Sequence, residues 1–209
     1  AGGKTYRLNI CLYVDDGWGT FDIVEGAMAG GKREHELMVA EMQQDMQTLS
    51  DKFRIKIKWD ADLFLGMNVT RPSMDRMKLS NERYFNGLGL EYFDKPPDQY
   101  PPVDLPAPST ISNMYKEAKK ARDNGAEICP KLRERFMSKM GKMIYPTPCT
   151  RPDLSYSVGI NARCLTFPTV AMEKCVDRMM LYGAQHASEG LCFEAIGDGD
   201  PILDAYVDA

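Results

Sequence analysis

The chain has 209 residues, 44% of them hydrophobic and 27% charged, which excludes a disordered polyelectrolyte and fits an ordinary globular protein with a real core. Its 26 basic residues are outnumbered by 30 acidic ones, giving a net charge of −4, whereas a free-standing nucleic-acid binder usually carries the basic excess that phosphate neutralisation demands. Six scattered cysteines without a CxxC pair and only two histidines exclude a zinc-type site, and no apolar run reaches the roughly 18 residues that cross a bilayer. The thiols read as small apolar residues of a reducing, intracellular compartment. The chain starts at Ala1 without a methionine and stops at Ala209 just after an apolar run, so both ends read as cut.

Leu8 to Val14 (LNICLYV) is a continuous apolar stretch with strand character. Asp15, Asp16 and Gly17 supply turn chemistry, and Trp18 to Val24 reads as the returning strand, weakened by Gly19. From Lys32 to Phe53 the period becomes helical, with Met38, Met42, Met46, Leu49 and Phe53 on one face. Such a methionine stripe reads as core packing rather than a ligand site. Phe53 to Trp59 (FRIKIKW) alternates strictly and Leu63 to Val69 (LFLGMNV) resumes a strand, which predicts a second hairpin.

Ser80 is the expected cap of a helix running to about Phe93. Lys95 to Pro108 carries six prolines in fourteen residues and reads as an extended connector outside the core. Beyond it, Lys131 to Ile144 reads as an amphipathic helix stopped by Pro146 and Pro148. Thr150-Arg151-Pro152-Asp153 looks like a helix start with Thr150 as cap. Phe167-Pro168-Thr169 starts another helix, whose Met172, Cys175, Val176, Met179 and Tyr182 share a face. Leu191 to Ala195 and Ile202 to Val207 are short strand candidates around a turn at 197–201. Hairpin, helix, hairpin, helices, then strands make an α+β fold with a helical second half.

An acidic pair in a turn is commonly solvated decoration. Aspartates at a hairpin tip also have a specific use, because hard cations such as Mg²⁺ take oxygen ligands there. Tyr13-Val14-Asp15-Asp16 resembles the YxDD motif of reverse transcriptases. The rest of the chain follows the order of one branch of them. Phe64 to Arg71 (FLGMNVTR) resembles the FLG-x-x-x-x-R hairpin of copia-type retrotransposon polymerases. Leu79-Ser80 with Tyr84, Leu90 and Phe93 is similar to their LSQ-x-x-Y helix, and Met140 to Tyr145 to their IGSLMY segment. Thr150 to Val158 (TRPDLSYSV) is close to their TRPDI-x-YAV signature. Arg178 to Tyr182, with Glu189 to Leu191 behind it, holds the place of KRILRYLKGT-x-x-GL. Leu203 to Ala209 (LDAYVDA) resembles GYSDADWA, the opening strand of RNase H.

The resemblance implies the C-terminal half of a polymerase palm over residues 1–71, then a first thumb helix and proline-rich connector over 72–110. A helical thumb and connection region would fill 111–190, and the start of an RNase H-like domain 191–209. It implies that Asp15 and Asp16 are two of three metal-binding carboxylates, with Mg²⁺ or Mn²⁺ as cofactor, and that Asp208 is the first RNase H metal ligand. Tyr13 would lie beside a template–primer, and Phe64, Leu65, Gly66 and Met67 would form a primer grip. The third palm carboxylate belongs to a strand upstream of YxDD, and residues 1–12 hold no acidic residue.

The chain also departs from the family pattern. Gly17-Trp18-Gly19-Thr20 interrupts an apolar strand, and Gly183-Ala184-Gln185-His186 replaces Leu-Lys-Gly-Thr. Two readings follow: a fragment of a copia-type reverse transcriptase, inactive alone, or a domesticated remnant serving as a structural or accessory subunit among protein partners. A phosphate-transfer enzyme unrelated to polymerases rests on the acidic turn alone.

Overall fold

The structure, a computed structural model, describes residues 6–13, 16–23, 31–54, 56–59, 61–73 and 76–194, with side chains from Glu36 onward except that of Met38. It divides into two compact units, Ala1–Leu65 and Gly66–Ala209.

In the first unit, β1 (Tyr6–Tyr13) and β2 (Asp16–Ile23) form an antiparallel hairpin running from Tyr6↔Ile23 to Tyr13↔Asp16. The predicted hairpin is present, but its return strand starts at Asp16, two residues before Trp18. Gly17 and Gly19 sit inside the ladder, opposite Leu12 and Ile10. Glycine carries the same backbone donor and acceptor as any residue, so pairing in register offsets its entropic cost.

Helix α1 (Gly31–Phe53) follows the helical period read from the sequence. The expected burial of its stripe does not follow: Met42 is buried, but Leu49 and Phe53 are exposed, Phe53 by 62%. Periodicity defines an apolar face and leaves open what covers it. The strand expected over 53–59 is absent as well. The helix runs through Phe53, Arg54 ends it in the left-handed region (φ 55°), and the described residues 56–59 form no strand. A two-residue strand, β3 (Leu63–Phe64), closes this unit.

The second unit contains an antiparallel sheet in the order β4 (Met67–Ser73), β5 (Arg76–Ser80), β6 (Gly190–Glu194). The segment expected to pair backward with 53–59 pairs forward instead, with Asn68↔Ser80, Val69↔Leu79 and Thr70↔Lys78 in register. Ser80 is thus the last residue of a strand, and Asn81 precedes helix α2 (Glu82–Tyr92). Strand β6, at the position where the resemblance begins an RNase H-like domain, adds to β5 from Arg76↔Glu194 to Ser80↔Gly190. A Cβ on Gly190 would lie 2.0 Å from the Leu79 carbonyl oxygen, so only glycine fits there.

Among the described residues of this unit five further helices follow: α3 (Ile111–Asp123), α4 (Pro130–Ile144), α5 (Pro146–Cys149), α6 (Ser155–Ala162) and α7 (Val170–Gln185). Helix α7 is central and packs against α2, α3, α4 and α6. Its predicted face, Met172, Cys175, Val176, Met179 and Tyr182, is buried, and meets Phe85, Phe136, Met140 and Leu154. The Thr169 hydroxyl accepts from the Met172 amide at 3.2 Å, capping the helix that the sequence starts at Phe167-Pro168-Thr169. Thr150 is no such cap: its buried hydroxyl donates to Asn81 Oδ1, and the next helical turn opens at Pro152.

The proline-rich segment is not a free connector. Its prolines lack amide donors and cannot join a ladder, so its carbonyls need donors from elsewhere. Gln185 Nε2 donates to the carbonyls of Pro97 (2.9 Å) and Pro101 (3.1 Å), while Gln185 Oε1 accepts from the Val103 amide (2.9 Å). Arg178 Nε donates to the Leu105 carbonyl at 3.1 Å, and His186 Nε2 lies 3.1 Å from that of Val103. With Val103 buried, the segment is a strap sewn onto the end of α7.

Candidate nucleic-acid interface

Tyr13 and Asp16 are the last cross-strand partners of the β1–β2 hairpin. Val14 and Asp15, which join them, lie outside the described residues, and so does Asp208. Among the described residues no group of three His, Cys, Asp or Glu side chains is placed to hold a metal ion. The structure therefore supplies the hairpin frame of the acidic pair and leaves its ligand geometry undefined.

The predicted primer grip is better defined. Leu65 (φ 48°) and Gly66 (φ 76°) are consecutive left-handed residues immediately before β4. That geometry suits tight hairpin turns and favours Asn-Gly, whereas an L-residue with a bulky side chain there costs about 1–2 kcal/mol. Phe64, Leu65 and Met67 are half-buried and Gly66 is exposed. A Cβ on Gly66 would sit 2.7 Å from Tyr145 Oη. Tyr145 in turn meets the ring of Tyr84 edge-on at 5.2 Å, and Tyr84 Oη donates to the Lys142 carbonyl at 2.7 Å. Burial raises the pKa of both phenols, so each stays protonated through the neutral range. One residue into β4, buried Asn68 accepts the Arg83 amide at 3.1 Å, tying the strand to the first turn of α2.

Sequence reasoning missed a second feature. Helix α4 carries five basic residues, Lys131, Arg133, Arg135, Lys139 and Lys142, against one acidic residue, Glu134. A groove of about 510 Å³ is lined by Tyr92, Lys131, Glu134, Arg135, Ser138 and Lys139. Part of this charge is compensated from α7. Arg135 donates to both oxygens of Glu173 (3.0 and 3.1 Å), and Lys139 reaches Glu173 (3.1 Å) and Asp177 (2.6 Å). The Arg135 hydrogen bonds, followed by Lys139, hold the Glu173 carboxyl below its usual range despite its burial. Lys142 lies 5.0 Å over the Tyr92 ring and bonds Glu91. Lys131 and Arg133 point to solvent. Counting charge by segment rather than over the whole chain would have exposed this basic helix.

The TRPD motif proves to be architectural. Arg151 is 1% exposed, yet fully engaged. Its Nε and Nη2 bond the Asp153 carboxylate at 2.9 and 2.7 Å, and Nη1 donates to the His186 carbonyl at 3.0 Å. The guanidinium lies between the rings of Phe85 and Tyr182, at 5.2 and 5.4 Å. Burial alone would raise the Asp153 pKa, but the hydrogen bonds and charge of Arg151 prevail and lower it. One buried cation thereby joins α2, the turn before α6, and the end of α7.

No family model matches the chain, and no solved structure matches it. Over 209 residues, taking in 96% of this chain, it is 29% identical to the retrovirus-related Pol polyprotein from transposon TNT 1-94 of Nicotiana tabacum. The chain spans 13% of that polyprotein's length. Along almost its whole length, then, this chain is similar to one short stretch of a retrotransposon Pol polyprotein.

Proposed function

We propose that the chain is a piece of a copia-type reverse transcriptase. It runs from the YxDD hairpin through a primer-grip turn and thumb helices to the start of RNase H, and by itself carries no polymerase or RNase H activity. The observation that supports this best is the end-to-end similarity to a transposon Pol polyprotein, in a chain with Tyr13-Val14-Asp15-Asp16 at a hairpin end. Asp15 and Asp16 are oxygen donors suited to Mg²⁺ or Mn²⁺. When bound, a pair of such ions activates a 3′-hydroxyl and stabilises departing pyrophosphate. In this reading Tyr13 borders the template–primer, the Phe64–Met67 turn steadies the primer end, and α4 offers basic side chains to phosphates. Asp208 is the first carboxylate of the RNase H site.

A second reading, a non-catalytic subunit of a larger assembly, draws on the exposed Leu37, Leu49 and Phe53 of α1, which suit a covering partner. Primer extension on an RNA template with Mg²⁺ or Mn²⁺ separates the two. The chain alone gives no product. Joined to the segment that precedes the matched region in the tobacco polyprotein, it extends the primer. Extension by the chain alone, or none after joining, contradicts the proposal.

A further inference from the structure

We propose that Tyr145 is a positioning residue for the turn at Gly66, holding that turn in the shape in which it meets a primer end. What the turn holds rests on the reverse-transcriptase reading; how it is held rests on geometry. Two successive left-handed residues, the first of them leucine, form a strained turn. Strain of this kind persists only where the surroundings over-determine it, and it gathers at ligand clamps.

Two contacts made within the second unit over-determine the Gly66 side of this turn. On the strand side, Asn68 is buried and accepts the Arg83 amide, which ties β4 to the first turn of α2. On the other side, Tyr145 Oη stands where a side chain at Gly66 would begin, 2.7 Å from the ideal Cβ position. The phenol is itself braced. The Tyr84 ring lies against it at 5.2 Å, and the Tyr84 hydroxyl is spent on the Lys142 carbonyl, in the last turn of α4 just before Tyr145. Deleting one oxygen at Tyr145 leaves the ring packing intact, gives up the hydroxyl's hydrogen bond with Asn81, and removes the stop against which the turn rests. The turn then relaxes toward less strained backbone, and the Gly66–Met67 peptide moves with it.

The test uses the full chain with Y145F, G66A and the double variant. Melting temperature is read alongside affinity, by fluorescence anisotropy, for an RNA–DNA duplex with a recessed 3′ end and for its blunt counterpart. Y145F is expected to melt no more than about 4 °C below the wild type, the cost of one hydrogen bond to Asn81 at a partly exposed side chain. It should bind the recessed duplex about fivefold more weakly while binding the blunt duplex equally well, as one relaxed turn residue would produce. G66A is expected to lower the melting temperature, and less so when Y145F is also present, because the clash is relieved while the left-handed strain remains. Recessed-end affinity unchanged in Y145F, or a G66A cost equal in both backgrounds, overturns the proposal alone. A wild-type chain that does not distinguish recessed from blunt duplex overturns the primer-end reading, and the proposal with it.

Discussion

Replacing Arg151 with methionine removes the cation that joins three elements of the second unit and fills much the same volume. Arg151 forms two short bonds to Asp153 and one to the His186 carbonyl. Hydrogen bonds to charged groups contribute about 1.5–3 kcal/mol each in the folded state. The total must be discounted, because the Asp153 side chain is 35% exposed and can rehydrate once its partner has gone. The His186 carbonyl and the two flanking rings lose their donor as well. A loss of about 3–4 kcal/mol follows, toward the lower end of the range for breaking a buried ion pair. At about 2–4 °C per kcal/mol for a chain of this size, R151M should melt about 10 °C below the wild type by circular dichroism. Adding D153A should recover part of that loss, since removing both charges leaves neither buried and unpaired. An R151M variant melting within about 2 °C of the wild type refutes the argument that this arginine organises the unit.

Acid should destabilise the same unit. Asp153 and Glu173 both have folded pKa values below their ordinary ones, so their contribution is complete above the unfolded carboxylate pKa and is lost as pH falls through the folded values. Melting temperatures should therefore hold steady from neutrality to about pH 5 and drop below about pH 4, a fall that E173Q makes shallower. Q185A strips the strap of its central bonds to Pro97, Pro101 and Val103, so limited proteolysis should cut within residues 95–108 of the variant well before the wild type. Among the cysteines, burial pushes the Cys164 thiol up to about 11 and raises that of Cys175, while Cys129 and Cys192 are exposed. A thiol reagent followed by peptide mapping should label Cys129 and Cys192 before Cys164 and Cys175; early labelling of Cys164 contradicts the packing around α7.

The parts of the fold that were legible in the sequence are those encoded within one segment. Helix α7 announced itself by five apolar residues at helical spacing behind the Phe167-Pro168-Thr169 start, and the β1–β2 hairpin by an apolar run ending in turn residues. Pairings between segments were not legible. FRIKIKW alternates like a strand, yet its first residue completes α1, and the strand at 67–73 finds its partner downstream at 76–80. The methionine stripe of α1 shows the same limit, because amphipathicity does not name the covering surface. Six prolines marked an extended segment, but only the placement of Gln185 and His186 showed that it is bound. Those two residues belong to the Gly183–His186 departure from the family pattern, and Gly183 leaves room for Phe85, which a Cβ would meet at 2.3 Å. The departure is thus fitted to the strap.

The candidate site divides in the same way. Tyr13 to Asp16 and Phe64 to Met67 were picked out as motifs; the hairpin pairs Tyr13 with Asp16, and the strained turn gives Phe64 to Met67 local shape. Tyr145 and Asn68 lay inside named motifs without a role, because each acts across a long stretch of chain, and the basic face of α4 was missed because it shows only in charge summed over one helix. Arg151 was seen as part of a motif and turned out to be a structural tie.

The central claim is that Asp15 descends from, and still belongs to, a two-metal polymerase site completed by residues from outside this chain. It is tested most directly by primer extension on an RNA template with Mg²⁺, using the chain joined to the preceding segment of the tobacco polyprotein. With wild-type Asp15 the primer is extended; with D15N extension falls by three orders of magnitude or more, roughly the scale of losing a metal ligand's electrostatic stabilisation of the transition state. Extension that proceeds equally well with D15N contradicts the claim.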